Sequence, residues 1–249
     1  MVKAAVISDL HSNIERLDGL LKLIKEKDID IVLFTGDVIK GKARGDEWLA
    51  AQSEGRNPAR NETIVDEAKE ENKDLVNFYR FFETNQIHIA VIPGNMDAPL
   101  TRYYNVINHK LSFCSHLHQV HEGFWPYKGY AFTGFGGTIG PKEEYFVLQS
   151  TPEELESLLV PEDQGKLIFL FHQPPTGGAG KVGADDKGHP LINKMIEKHK
   201  PELVFVGHSH AQSSQTIGNS LVINPGSLKK GDAAVVDLET KQFEFVKVE

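Results

Sequence analysis

Short apolar runs rich in β-branched residues recur along this chain, at residues 4–7, 29–35, 87–92, 167–171, 203–206 and 221–223. Runs of this kind read as strands buried on both faces, and a sheet so buried must be covered by helices. That restricts the fold to a layered α/β arrangement. Most of the runs stop at residues able to bind a cation: Asp9-Leu10-His11, Gly36-Asp37, Gly94-Asn95-Met96-Asp97, His172 and Gly207-His208-Ser209-His210. Strand ends are rigid, and a loop leaving one can aim a side chain outward, so several ends side by side can encircle ions. The pattern points to a two-metal site.

Between the first two runs, Ser12-Asn13-Ile14-Glu15 reads as a Ser-x-x-Glu capping box, followed by Ile14, Leu17, Leu21 and Ile24 at helical spacing. Residues 63–83 carry Ile64, Leu75, Phe78, Phe81 and Phe82 on an otherwise charged helix, and residues 190–199 form another before Pro201. Repeated strand-helix-strand linkage implies a parallel or mixed sheet. The C-terminal part changes to hairpin-like strands at 233–238 and 242–248, separated by Glu239-Thr240-Lys241. Residues 41–61, with Gly, Arg, Asn and Pro around Trp48, look like a loop insertion after the second polar turn. Residues 103–125 hold His109, His116, His118 and His121, and alternation within 115–120 places His116 and His118 on one strand face. No nearby carboxylate or cysteine completes a coordination set there, so partly exposed imidazoles beside a hydrophobic strand are the favoured reading.

The chain has 249 residues, 40% of them hydrophobic, an ordinary globular composition compatible with one layered domain. Lys+Arg 27 against Asp+Glu 35 gives a net charge of −8, which repels polyanions and argues against a dedicated nucleic-acid binder. The single cysteine, Cys114, excludes an intrachain disulfide framework and suits a reducing cytoplasm. The N-terminal residues read as a strand rather than a signal peptide, and no run approaches the ~18 apolar residues of a membrane span. A cytoplasmic protein without membrane attachment is the expectation.

Each polar strand end taken singly has an ordinary explanation, since a lone Asp there is commonly a turn residue and a lone His a packed one. Jointly, and in this order, the motifs resemble the calcineurin-like metallophosphoesterase superfamily, with the resemblance running from Val2 to about Ser227. It implies a four-layer α-β-β-α sandwich with two facing mixed sheets, and a single such domain over residues 1–249. Carried over residue by residue, it implies that Asp9, His11, Asp37 and His210 hold one divalent ion, while Asp37, Asn95, His172 and His208 hold the other. Asp37 and Asp97 are the expected catalytic residues. Carboxylate, imidazole and amide donors suit Mn²⁺ first, with Fe, Zn²⁺ or Ni²⁺ as alternatives. The implied reaction is hydrolysis of small phosphate esters by in-line attack of a metal-bridging hydroxide.

One position departs from the family pattern. Met96 stands where the family has His, and a thioether has no proton to give a poor leaving group. Phosphodiesters, or other esters with stabilised leaving groups, are therefore expected ahead of unactivated monoesters. The alternative is a metal-binding scaffold of the same fold with little or no turnover. Among neighbouring residues, Asn13 fits contact with the bridging water or substrate and helix capping equally well, and Arg102 reads as a solvated surface side chain ahead of a phosphate partner. The glycine-rich segment 177–182 fails as a phosphate loop, because Pro175 occupies the required first Gly and Val182 the Ser/Thr position. Asn224-Pro225-Gly226-Ser227 looks like the family's closing turn.

Overall fold

Alternation along the strands sets the layers of this computed structural model, which describes residues 2–111, 114–160 and 165–249. In β1 (Lys3–Ile7), Ala4 and Val6 join one core while Ala5 and Ile7 join another, and all four are fully buried. The same division holds in β2 (Ile31–Phe34), where Ile31 and Leu33 lie on one side and Val32 and Phe34 on the other. A period of two with both faces apolar is what a sheet sandwiched between layers requires. Each of the larger buried side chains, Val, Leu, Ile and Phe, contributes about 1.5–3 kcal/mol relative to exposure.

The first six-stranded sheet runs in the order β16 (Phe243–Lys247), β15 (Asp232–Asp237), β1, β2, β3 (Ile89–Val91), β4 (Leu117–Gln119). β1 to β4 are parallel, and the β15–β16 hairpin adds antiparallel to β1. The second sheet runs β13 (Gln212–Ile217), β14 (Ser220–Pro225), β12 (Leu203–Phe205), β9 (Lys166–Phe171), β6 (Tyr130–Phe135), β5 (Phe124–Tyr127), with a parallel centre and antiparallel edges. Two small pairs complete the strands: β7 (Thr138–Ile139) with β8 (Gln149–Ser150), and β10 (Lys181–Val182) with β11 (Asp185–Asp186).

The sheets face each other across a core that includes Val6, Leu33, Ile92, Phe132, Leu170, Phe205 and Val236. Outside the first sheet lie α1 (Arg16–Lys27), α3 (Glu62–Asn85) and α4 (Leu100–Leu111); outside the second lie α5 (Pro152–Glu156) and α6 (Pro190–His199). This is the expected α-β-β-α sandwich of two mixed sheets. The parallel centres bring the carboxyl ends of β1, β2, β3, β9 and β12 to one edge. Among the described residues no helix is long and apolar enough to cross a membrane.

Two local expectations are corrected. Ser12 does not cap α1: the helix starts at Arg16 after Glu15, with no side-chain cap. The backbone of the preceding loop is committed elsewhere, since Asp9, His11 and Ser12 N–H groups donate to the carbonyls of Gly36, Asp37 and Val38 at 2.9, 3.0 and 2.8 Å. Tertiary pairing overrides the local capping signal. Residues 41–61 are not a loop but carry α2 (Lys42–Glu54). Its first turn is capped from a distance, with Gly41 N–H donating to Glu71 and Ala43 N–H to Glu67 at 2.6 Å, both carboxylates belonging to α3.

Candidate metal centre

The strand-end loops bend sharply. Asp9, His11, Asp37, His208 and His210 all have left-handed backbones, with φ of 55, 47, 63, 65 and 56°. Non-glycine residues rarely adopt this conformation, which clusters where the surroundings over-determine the chain. The two Asp/His-x-His segments are thus not extended. They nevertheless turn both side chains to one side, while Leu10 is buried in the core beneath helices.

The structure brings Asp9, His11, Asp37, Asn95, His172, His208 and His210 together. In one half, His210 Nε2 lies 3.0 Å from both Asp9 Oδ1 and His11 Nε2, and His11 Nε2 lies 3.7 Å from Asp9 Oδ1. In the other, Asn95 Oδ1 lies 2.9 Å from His172 Nε2 and 3.0 Å from His208 Nδ1. Asp37 Oδ2 sits between the halves, 3.8 Å from His11 Nε2 and 3.5 Å from His172 Nε2. Among the described residues, the sets Asp9/His11/His210 and Asp9/Asp37/His172 are spaced to hold an ion.

Hydrogen bonds behind these side chains fix which atoms face inward. His172 Nδ1 donates to Thr35 O at 2.7 Å and His11 Nδ1 to Ile39 O at 3.3 Å, so each Nε2 carries a lone pair. Asn95 Nδ2 donates to Met96 Sδ at 3.1 Å, which leaves its carbonyl oxygen facing His172. Acceptor therefore faces acceptor at 2.9 Å. Asp9 Oδ1 is fully buried and forms no aligned hydrogen bond. Lone pairs crowded in this way repel one another unless a cation lies among them, and this donor set of carboxylate, imidazole and amide suits a divalent ion.

Titration agrees. Burial pushes the Asp37 carboxyl well up, and the charges of Asp9 and Asp97 push it further. Burial would also raise Asp9, but the His210 contact, together with the charge that His172, His210 and His11 carry when protonated, brings it below the usual carboxylate range. Burial holds His11 down to about 4 and His208 to about 3, which leaves them as neutral ligands.

Asp97 is placed differently from the expectation of a catalytic residue. It is fully buried, and its oxygens accept from the N–H groups of Asp37, Val38, Ile39 and Gly94 at 2.9, 2.9, 3.2 and 2.7 Å. With both oxygens so engaged it holds the Asp37 turn rather than facing the imidazoles. Gly94 is required beside it, because a Cβ there would lie 2.1 Å from Asp37 Oδ1. Arg102 is not solvated either; it pairs with buried Glu71 at 3.1 Å and donates to Ala98 O at 2.7 Å.

Several further residues support the cluster from outside the ligand set. Asn224 Nδ2 donates to Gly207 O at 2.9 Å, and Ser227 Oγ donates to Asp9 O at 2.8 Å, tying the His208 and Asp9 loops. The closing-turn motif was the available signal. Thr35 and Ile39 act through backbone carbonyls, so no side-chain pattern could have marked them.

A family model described as metallophosphoesterase, calcineurin superfamily, matches residues 1–248, and the chain belongs to that family. The family works with a binuclear metal centre, for which this cluster supplies candidate ligands. One crystal structure superposes with TM-score 0.89 at 26% identity, over 99% of both chains. TT1561 of Thermus thermophilus superposes with TM-score 0.78 at 24% identity, over 100% of this chain and 99% of that one. A dimetal phosphatase from Danio rerio gives 0.63 at 10%, over 100% and 99%. At these identities the last two share the fold alone. No match was found among curated proteins.

Proposed function

We propose that this chain is a binuclear metal-dependent phosphoesterase that hydrolyses phosphodiesters ahead of unactivated monoesters. The facing acceptors carry the reading: His172 Nε2 and Asn95 Oδ1 at 2.9 Å, beside a buried Asp37 oxygen that lies between both halves of the cluster. Two divalent ions, Mn²⁺ first, would supply Lewis-acid charge for phosphoryl oxygens and for activating a water. Asp9, His11 and His210 would hold one ion and Asn95, His172 and His208 the other, with Asp37 placed between the two sets. Asp97 keeps the Asp37 turn rigid, and the carbonyls of Thr35 and Ile39 keep two imidazoles in the ligating tautomer.

Met96 supports the preference for diesters. It lines the cleft beside His11, Asn95 and His210, and its sulfur orients Asn95 instead of donating a proton. A leaving group must then depart without acid assistance from residue 96, which favours stabilised leaving groups. The Danio rerio dimetal phosphatase and an archaeal phosphodiesterase, the latter at TM-score 0.52 and 12% identity, share only the fold. The choice between ester classes therefore rests on Met96.

Turnover of bis-p-nitrophenyl phosphate and p-nitrophenyl phosphate by Mn²⁺-loaded protein tests the reading. We expect the diester to be hydrolysed faster, and Met96→His to raise monoester turnover with metal content unchanged. No hydrolysis of either ester would leave the scaffold alternative.

A further inference from the structure

Helix α2 carries Gly45, Trp48 and Leu49 at spacings of three and four, so they share one helix face. With Met96 and Val147 they line a cleft of 420 Å³ that opens onto His11, Asn95 and His210. Leu49 is 61% exposed and Trp48 half-buried, so α2 spends its large apolar side chains on this cleft rather than on the core. An exposed apolar wall beside a polar site marks a place where a ligand supplies the missing contacts.

The wall is fixed in position. Arg44 is buried, pairs with Glu71 at 3.1 Å, and donates to Phe146 O and Met96 O at 3.0 Å. A Cβ at Gly45 would come within 2.8 Å of Met96 Cε, so the helix rests directly on the residue that orients Asn95. Lys40 and Lys229 edge the same cleft beside Lys42, which pairs with Asp46 at 2.9 Å, and the excess of positive charge favours an anionic ligand. A flat indole, an aliphatic neighbour and a basic rim beside the cluster suit a ring attached to phosphate.

We infer that this cleft is a subsite for an aromatic ester group, so that the substrate is a phosphate ester carrying an aromatic ring that lies against Trp48 and Leu49. This rests on the phosphoesterase reading and adds the substrate class. Trp48 is a positioning residue for the ring, and binding rather than turnover reads it.

Calorimetric titration of the Mn²⁺-loaded full chain with phenylphosphonate and methylphosphonate compares two ligands with the same head group. We expect phenylphosphonate to bind at least about tenfold more tightly, the scale of burying one ring against an aromatic wall. Trp48→Ala should bring the ratio close to one, and Trp48→Phe should retain most of it. If Trp48→Ala fails to fold, Leu49→Ser serves, with a smaller fall in the ratio. A ratio near one in the unaltered protein, or one unchanged by these substitutions, overturns the subsite. Should phosphate esters still be hydrolysed, the phosphoesterase reading stands without it; no phosphonate binding together with no hydrolysis removes both.

Discussion

At the carboxyl ends of β1, β2, β9 and β12, four imidazoles meet two buried carboxylates, whereas at the amino ends of β3 and β4 three imidazoles, His88, His116 and His118, meet aromatic rings. In the second group His88 Nδ1 and His118 Nε2 are 3.2 Å apart and satisfy one another, and His118 stacks on Trp125 at 3.6 Å between centroids. Burial first, and then the neighbouring His88 and His116, hold His118 down to about 4. The three rings pack on one another and on aromatic neighbours, and burial also holds His88 below the usual imidazole range. In the first group His11 and His172 are locked with a lone pair inward, His172 Nε2 faces Asn95 Oδ1 at 2.9 Å, and Asp9 Oδ1 is buried without an aligned hydrogen bond. Histidine density therefore does not define a site; buried carboxylate oxygens beside tautomer-locked lone pairs do.

The sharpest way to break this contrast is Asp37→Asn, which removes charge from the oxygen placed between the two halves. Turnover should fall by about 10³-fold or more, and elemental analysis should find fewer bound ions. Full metal content with undiminished turnover would show that the geometry around Asp37 has been misread. Next in size is Glu71→Gln at the same end, where one buried carboxylate serves both Arg44 and Arg102 and caps α2. Leaving two arginines uncompensated should cost about 3–5 kcal/mol, read from the urea midpoint.

An imidazole can also matter with no ion near it. His121 is fully buried, its Nδ1 accepts from Gly136 N–H at 3.0 Å, and burial lowers its pKa to about 4. Because the folded pKa lies below the unfolded value of 6.5, its stabilisation is present above 6.5 and is lost as pH falls toward 4. The loss approaches about 3 kcal/mol, and His121→Gln should remove that part of the acid sensitivity in melts at pH 7 and 4.5. The smallest effect belongs to the second cluster. His116→Ala should change stability by no more than about 0.5 kcal/mol and leave bound metal unaltered; a loss of ions would erase the distinction between the two ends.

What the sequence makes legible follows from what is local. Strands buried on both faces must be apolar throughout, so β1, β2, β9 and β12 stand out, and the first polar residue after each marks its end. Side chains that converge there converge in the fold. Residues acting through distant backbone leave no such mark. Ser12 has the sequence of a cap, yet its N–H pairs with Val38, and α2 lacks a local cap because Glu67 and Glu71 supply one from the next helix. Asp97 reads as part of a reactive motif, but four backbone N–H groups claim its oxygens.

The central claim is that Asp37 Oδ2 is shared between two cations. Anomalous scattering from manganese-soaked crystals tests it most directly. Two peaks roughly 3.5–4 Å apart, one on each side of that oxygen, are predicted. A map with no peak there, or with manganese only at His88 and His118, would contradict the account.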